Sequence, residues 1–402
     1  MSSLSYSQIF LIFFKLGCLS FGGPAAHLVF FHQTFVQRLH WLKDEDYAQV
    51  VALAQLLPGP TSSQVGLAIG YLKRGYLGSV VAWLGFTLPS ALLMTLLAFI
   101  GQQLFPWISS AYFHAIQLIV LAVVFWAFWQ MLQNFCKSWW QYLLMLVSAL
   151  MIWFLPLSYN QILVIVLAGL AGMWIAKTQP QTGSNTTPSF QLEQRSFGST
   201  TLWLILFICP FLLLGALNWI NPHLLAEGFL GFLGFYQSAA LVFGGGHIIL
   251  PLLHQDFVST GMISAQQFDL GYAFAQLMPG PLFSFASYVG YFLDLTAYPV
   301  LNAIIATIAI FLPSFFLIFA TLPHWSWLMH QDKIKHAVIG INAAVVGLLL
   351  ALIVDMGQDY LTSVLDLAFV MFVLVLLKSK LPVWVSLIGS FGVYMGLLSL
   401  LS

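Results

Sequence analysis

Phe21-Gly22-Gly23-Pro24 and Ala54-Gln55-Leu56-Leu57-Pro58-Gly59-Pro60 interrupt long apolar stretches, and Phe243-Gly244-Gly245-Gly246 and Ala275-Gln276-Leu277-Met278-Pro279-Gly280-Pro281 repeat them later in the chain. Proline removes a backbone hydrogen bond and glycine loosens the chain, so a continuous helix is costly at each. Broken backbone at membrane depth survives only where protein or a water-filled cavity satisfies it. Pro24, Pro60 and Pro281 suit the first position of a following half-helix, where the missing N–H is no loss. Four half-helices starting after Gly23, Gly59, Gly245 and Gly280 would aim free amides at one place. At roughly half an elementary charge per helix end, they would supply about two positive charges. That is chemistry for a dianion.

Side chains around the breaks can add to it. Thr61, Ser62, Ser63 and Gln64 follow the first Pro-Gly-Pro, and Ser284 and Ser287 follow the second; their hydroxyls and amide can donate to anionic oxygens. The same residues also permit close helix packing. Gln55 and Gln276 precede Pro-Gly-Pro in both copies and suit either a ligand contact or a hydrogen bond to the broken backbone. Lys15 is the one basic residue well inside an apolar span, where a cation usually faces a cavity; its counterpart is Gln237. His27, His32, His247 and His254 can carry protons near neutral pH. Asp366 is the acidic candidate for coupling, whereas Asp355 and Asp359 fall at a span end and Asp44-Glu45-Asp46 in a loop.

The elements that must hold these groups follow from composition. Apolar residues make up 60% of the 402 and charged residues 6%, against about 25% charged in soluble domains. Such a chain cannot cover a water-facing surface, so lipid must be its solvent. The balance of 12 basic and 12 acidic residues gives no footprint for nucleic acid. Cys18, Cys136 and Cys209 have neither metal nor redox spacing, so no metal or cofactor is expected. The fold expected is an all-α polytopic membrane protein of about 13 transmembrane helices. Their spans are 6–34, 47–72, 76–101, 111–133, 139–155, 159–177, 201–219, 230–257, 268–292, 296–321, 335–356, 359–378 and 382–401. With the N-terminus in the cytoplasm, nine Lys and Arg lie inside, and Arg38 and Lys43 outside, as the positive-inside rule favours.

The repeat extends past the breaks. His32-Gln33 pairs with His254-Gln255, Gly70-Tyr71 with Gly290-Tyr291, and Leu88-Pro89-Ser90 with Leu312-Pro313-Ser314. Ordered matches at a near-constant offset establish a duplication. Seven crossings separate the copies, and an odd number inverts the second, giving inverted-topology repeats with broken helices at the midplane. The units expected are an N-terminal repeat at 1–177, a polar cytoplasmic linker at 178–200, an inverting helix at 201–229 and a C-terminal repeat at 230–402.

These blocks, taken together, resemble the chromate ion transporter family in its long form with two fused homologous domains. The resemblance implies a bacterial inner-membrane protein that exports chromate, driven by the proton motive force, with sulfate as a related oxyanion. The partners it implies are the oxyanion, the lipid bilayer and protons; a homodimer is compatible with it. Carried onto this chain, the shared positions are Gly22, Gly23, Gln55, Pro58, Gly59, Pro60, Gly244, Gly245, Gln276, Pro279, Gly280 and Pro281. To these the residues themselves add Lys15, Thr61, Ser62, Ser63, His247 and Ser284 for substrate, and His27 and Asp366 for proton coupling. Thr61 stands where the family pattern leads one to expect asparagine, and His247 where it has an aromatic or aliphatic residue. No H-E-x-x-H, paired-Asp or G-x-S-x-G motif is present, so an intramembrane enzyme is disfavoured. A passive anion channel would use the same broken helices, and a pH gradient separates it from a coupled carrier.

Overall fold

A computed structural model describes residues 4–105, 109–155, 160–175, 197–220, 227–243, 248–329, 331–379 and 381–401. Among these residues the chain is helical throughout, an all-α multi-pass membrane protein. Gly244, Gly245, His247 and most of the expected linker lie outside them.

The first half opens with α1 (Tyr6–Leu19), α2 (Gly23–Phe31) running into a π-helical turn (His32–Arg38), and α3 (Asp44–Leu56). Next come α4 (Thr61–Leu104), α5 (Ser110–Phe135), α6 (Trp139–Phe154) and α7 (Asn160–Ile175). An extra helix, α8 (Phe197–Ile220), joins the halves. The second half repeats the order: α9 (Glu227–Ala240), α10 (Ile249–Leu253) with a π-helical turn (His254–Val258), α11 (Ala265–Leu277), α12 (Phe285–Phe292) after a 3-10 turn, and α13 (Pro299–Thr321). It closes with a short α14 (Trp325–Met329), α15 (Asp332–Tyr360), α16 (Val364–Lys378) and α17 (Val383–Leu401). Ser5 with Gln8, Ser138 with Gln141, Ser264 with Gln267 and Ser363 with Asp366 form capping boxes that fix where α1, α6, α11 and α16 begin.

The spans expected at 6–34, 47–72, 230–257 and 268–292 are each two short helices that double back. Helix α3 has 13 residues, about 20 Å at the usual rise, too short for a core about 30 Å thick. Lys73, near the end of the first arm of α4, donates to the Trp41 carbonyl just ahead of α3 at 2.7 Å and lies over the Trp41 ring. The start of α3 and the end of that arm therefore share one end of the molecule. Arg74 stacks on Tyr6 at the start of α1, bringing that helix to the same end. Phe13 of α1 meets Phe35 of the π-helical turn with ring centroids 5.0 Å apart; the equivalent pair in the second half, Phe235 and Phe257, is 4.5 Å apart. In α11 the missing side chain of Gly271 leaves room for the Tyr288 ring of α12.

Helix α4 is itself two arms, because Arg74 and Gly75 leave helical geometry and turn the chain. Gly70 and Gly78 then lie against each other's carbonyls across the turn. Gly290 packs in the same way on Asn302 and Ala306. Such contacts need small residues, since lipid supplies no hydrophobic drive between helices and backbone approach carries the packing. The later helices pair across the halves: α5 packs on α16 and α17, and α15 on α6 and α7. Gly172 on Gly340, and Gly347 on the Met145 carbonyl, make the second of these contacts close.

Candidate functional site

The helix breaks meet at the centre of the molecule, each bonded to the other half. The Gly59 amide donates to the Val242 carbonyl at 2.6 Å, and the Gly280 amide donates to the Ser20 carbonyl at 2.9 Å. Val242 and Ser20 are equivalent residues, each just before the Phe-Gly-Gly of its repeat. Gly59 and Gly280 have φ of +124° and +93°, a region open to glycine and strained for other residues. The serines of the two Leu-Pro-Ser blocks close the exchange: Ser314 lies beside Gly59, and Ser90 beside Gly280. The sequence marks these serines as repeat positions; only their packing on the opposite half reveals their task.

The junction is polar and sealed. Ser90 and Ser284 share a hydrogen bond of 2.6 Å, and Gln64 donates to the Pro58 carbonyl at 2.6 Å. His27 is buried, with Nε2 3.1 Å from the Ser20 carbonyl and Nδ1 3.2 Å from Ser62 Oγ. A carbonyl only accepts, so Nε2 carries the hydrogen and Nδ1 accepts from Ser62. Ser20 Oγ, Ser63 Oγ, Gln64 Oε1 and Thr87 Oγ1 are buried there without a hydrogen-bond partner among the described residues. Ser62, Ser63 and Ser284 thus sit within the junction and line neither of the cavities beside it. Pro60 and Pro281 occupy N-cap positions and Pro24 the second helical position, each about one residue from the first helical position expected of them.

Two cavities flank the junction and meet at Pro24. One, of about 410 Å³, is lined by Gly22, Gly23, Gln276, Gly280, Trp126 and Gln130, and reaches the α16–α17 connection at Leu381–Trp384. The other, of about 650 Å³, is lined by Gln55, Thr61, Asn134, Lys335 and Asn342. Each could hold many waters at about 30 Å³ apiece. Both reach the molecular end that carries Lys73, Lys137 and Lys378. The structure therefore gathers Gly22, Gly23, Gln55, Thr61, Gln276 and Gly280 on cavity walls, and Pro58, Gly59, Pro60, Pro279 and Pro281 at the crossing that holds those walls.

Lys15 is exposed on α1 and lines neither cavity. The cation on a wall is Lys335, in the first turn of α15, 3.7 Å from Asp332. Its sequence gives no sign of this, because Lys333-Ile-Lys335 resembles an ordinary positive flank of a span. Asp366 caps α16, accepting from the Thr362 and Ser363 amides at 3.0 and 2.9 Å and pairing with His114 at 3.0 Å. No group of three or more His, Cys, Asp or Glu residues is placed to hold a metal among the described residues.

The chromate transporter family profile matches residues 7–173 and 229–396. The chain is 26% identical over 362 residues to the chromate transport protein of Pseudomonas aeruginosa, covering 88% of this chain and 82% of that one. It is 27% identical over 360 residues to a probable chromate transport protein of Synechococcus elongatus, covering 89% and 86%. With the chromate transport protein of Cupriavidus metallidurans it shares 26% identity over 389 residues, covering 94% and 90%. No solved structure matches.

Proposed function

This chain belongs to the chromate transporter family, in the long form with two fused domains, and from that premise we propose that it exports chromate across the bacterial inner membrane as a secondary active transporter. The proton motive force drives the cycle, and sulfate is a related substrate. One observation carries this reading: two cavities flank a polar crossing of helix breaks, with backbone amides, two equivalent glutamines and Lys335 on or beside their walls. Those groups offer hydrogen-bond donors and positive charge to a tetrahedral dianion. Pro58, Gly59, Pro60, Pro279, Gly280 and Pro281 shape the site through the crossing. Ser62, Ser63 and Ser284 reach substrate when the crossing opens; for Gly244, Gly245 and His247 the substrate role rests on the repeat motif in the sequence.

The topology proposed is nine crossings, made by the second arm of α4, by α5 to α8, α13 and α15 to α17, with four hairpins entering from the two faces. Five crossings precede the second copy, so it is inverted, as thirteen would also have made it. Support comes from charge. Of 12 Lys and Arg, Lys15 lies within α1; with the first two elements doubled back, Arg38 and Lys43 join all the others on one face. That face is the cytoplasm and holds the N-terminus. The units are the repeats at 1–177 and 230–402, joined by the linker at 178–200 and the inverting stretch at 201–229. The test is growth of expressing cells on chromate beside uptake of labelled sulfate. Raised chromate tolerance is expected; unchanged tolerance with sulfate uptake would replace chromate by sulfate. Flux in proteoliposomes that ignores a pH gradient would make the protein a passive channel.

A further inference from the structure

Asp269 is a carboxylate sealed in the second half, 1% exposed. It lies near the start of α11, at the end of the molecule opposite the cavity mouths. Tyr360, the last residue of α15, donates to its Oδ2 at 2.6 Å. The Gln117 side chain of α5 bonds both Asp269 and Tyr360. Three elements therefore converge on one carboxylate, and each also contributes to a cavity wall: α11 through Gln276, α5 through Trp126 and Asn134, α15 through Lys335 and Asn342. The corresponding residue of the first half is Ala48, so the device belongs to one copy alone.

The surroundings offer no compensating cation. At that end the ionisable groups on the elements packed around Asp269 are Tyr272 of α11, His254 and Asp256 of the π-helical turn, Tyr288 and Tyr291 of α12, Tyr112 and His114 of α5, Asp355, Asp359 and Tyr360 of α15, and Tyr394 of α17; Asp332, Lys333, Lys335 and His336 lie at the other end of α15. No described lysine or arginine lies at that end. A buried charge without a partner is costly in a membrane protein, and such residues mark ion and proton pathways. Access exists on one side. His114, partly exposed and paired with Asp366 at 3.0 Å, stands one helical turn from Gln117. On the other side Tyr272, one turn along α11 toward the break, bonds Gln276 on the cavity wall.

Resting on the transport reading above, we propose that Asp269 is the proton-binding carboxylate that couples the cycle to the pH gradient. A proton from water at the His114 end forms an O–H bond on one carboxylate oxygen and cancels its charge. The acid then carries a hydrogen that needs an acceptor in the sealed site, and the oxygen of Tyr360 or of the Gln117 amide turns to accept it. The seal between α11, α5 and α15 loosens at the closed end. Loss of the same proton to water restores it, with no other reactant consumed.

The test has two arms. Infrared difference spectroscopy of the purified protein across pH reads carboxyl protonation without transport; a titrating carboxylic-acid band is expected in the wild type and its loss in Asp269→Asn. Tyr360→Phe, which keeps the carboxyl and removes one donor, is expected to displace the band's midpoint by about one pH unit, and it serves if Asp269→Asn does not fold. In proteoliposomes, Asp269→Asn is expected to retain tracer exchange of labelled chromate and lose its response to a pH gradient. An unchanged infrared band, or a wild-type gradient response in Asp269→Asn, overturns the proposal. Failure of the wild type to exchange chromate would instead overturn the substrate, while the infrared arm still reports on Asp269.

Discussion

Gly280→Ala is the sharpest test of the crossed breaks. The residue sits at φ +93°, and a β-carbon there would lie 2.8 Å from Ser90 Oγ and 3.0 Å from Ser90 Cβ. Left-handed backbone costs about 1–2 kcal/mol for alanine, and forcing extra volume into a packed site adds about 1–3 kcal/mol. Part of that second cost is the bond from the Gly280 amide to the Ser20 carbonyl, at 2.9 Å, which must stretch to relieve the clash. A total of about 3 kcal/mol is roughly a 150-fold loss in the population of the intact crossing. Gly261 is the control: its φ is +78° with nothing within 4 Å of the added carbon, so Gly261→Ala bears only the backbone cost. Thermal unfolding in detergent and initial rates of chromate flux in proteoliposomes are the assays. The melting midpoint should fall further for Gly280→Ala than for Gly261→Ala, and flux should drop in the first alone. Ser90→Gly, which clears the space, should return part of both losses. Wild-type melting and flux in Gly280→Ala, or no recovery with Ser90→Gly, would refute the reasoning.

Gly59→Ala should also lower the melting midpoint and flux, because the carbon would lie 2.6 Å from both Ser314 Oγ and Gln64 Nε2; Ser314→Gly clears only the first contact and should return a smaller share of the loss than Ser90→Gly does for Gly280→Ala. Lys335→Gln should raise the half-saturation concentration for the anion about tenfold, near 1.4 kcal/mol, with protein level unchanged; an unaltered value would remove Lys335 from the site. In a cysteine-free background, Lys43→Cys and Lys73→Cys should both be labelled by an impermeant thiol reagent from the cytoplasmic face alone, whereas thirteen crossings put residue 43 outside. Asp366→Ala should lower stability by about 1–3 kcal/mol through lost capping and pairing, seen as an earlier unfolding midpoint, and His114→Ala should do so by less.

Composition alone settled the class, because a chain with so few charges has no surface to offer water. The paired motifs alone settled the duplication and the places where helices stop, since Pro-Gly-Pro and Phe-Gly-Gly forbid regular backbone wherever they stand. The course of the chain beyond a break is not written in those motifs. The same residues serve a helix that resumes across the membrane or one that turns back, and the choice depends on neighbours far along the chain. Lys73 on Trp41 and Gly271 against Tyr288 made that choice. Gly59 and Gly280 were legible as breaks, yet their bonds to the opposite half join residues about 180 to 260 positions apart in sequence and appear only when the copies cross. Asp269 was not legible at all, because a lone carboxylate in a short helix looks like any other until burial removes its water and Tyr360 and Gln117 close over it. Local chemistry determined where this chain must bend; only the packing of one half into the other decided what the bends enclose.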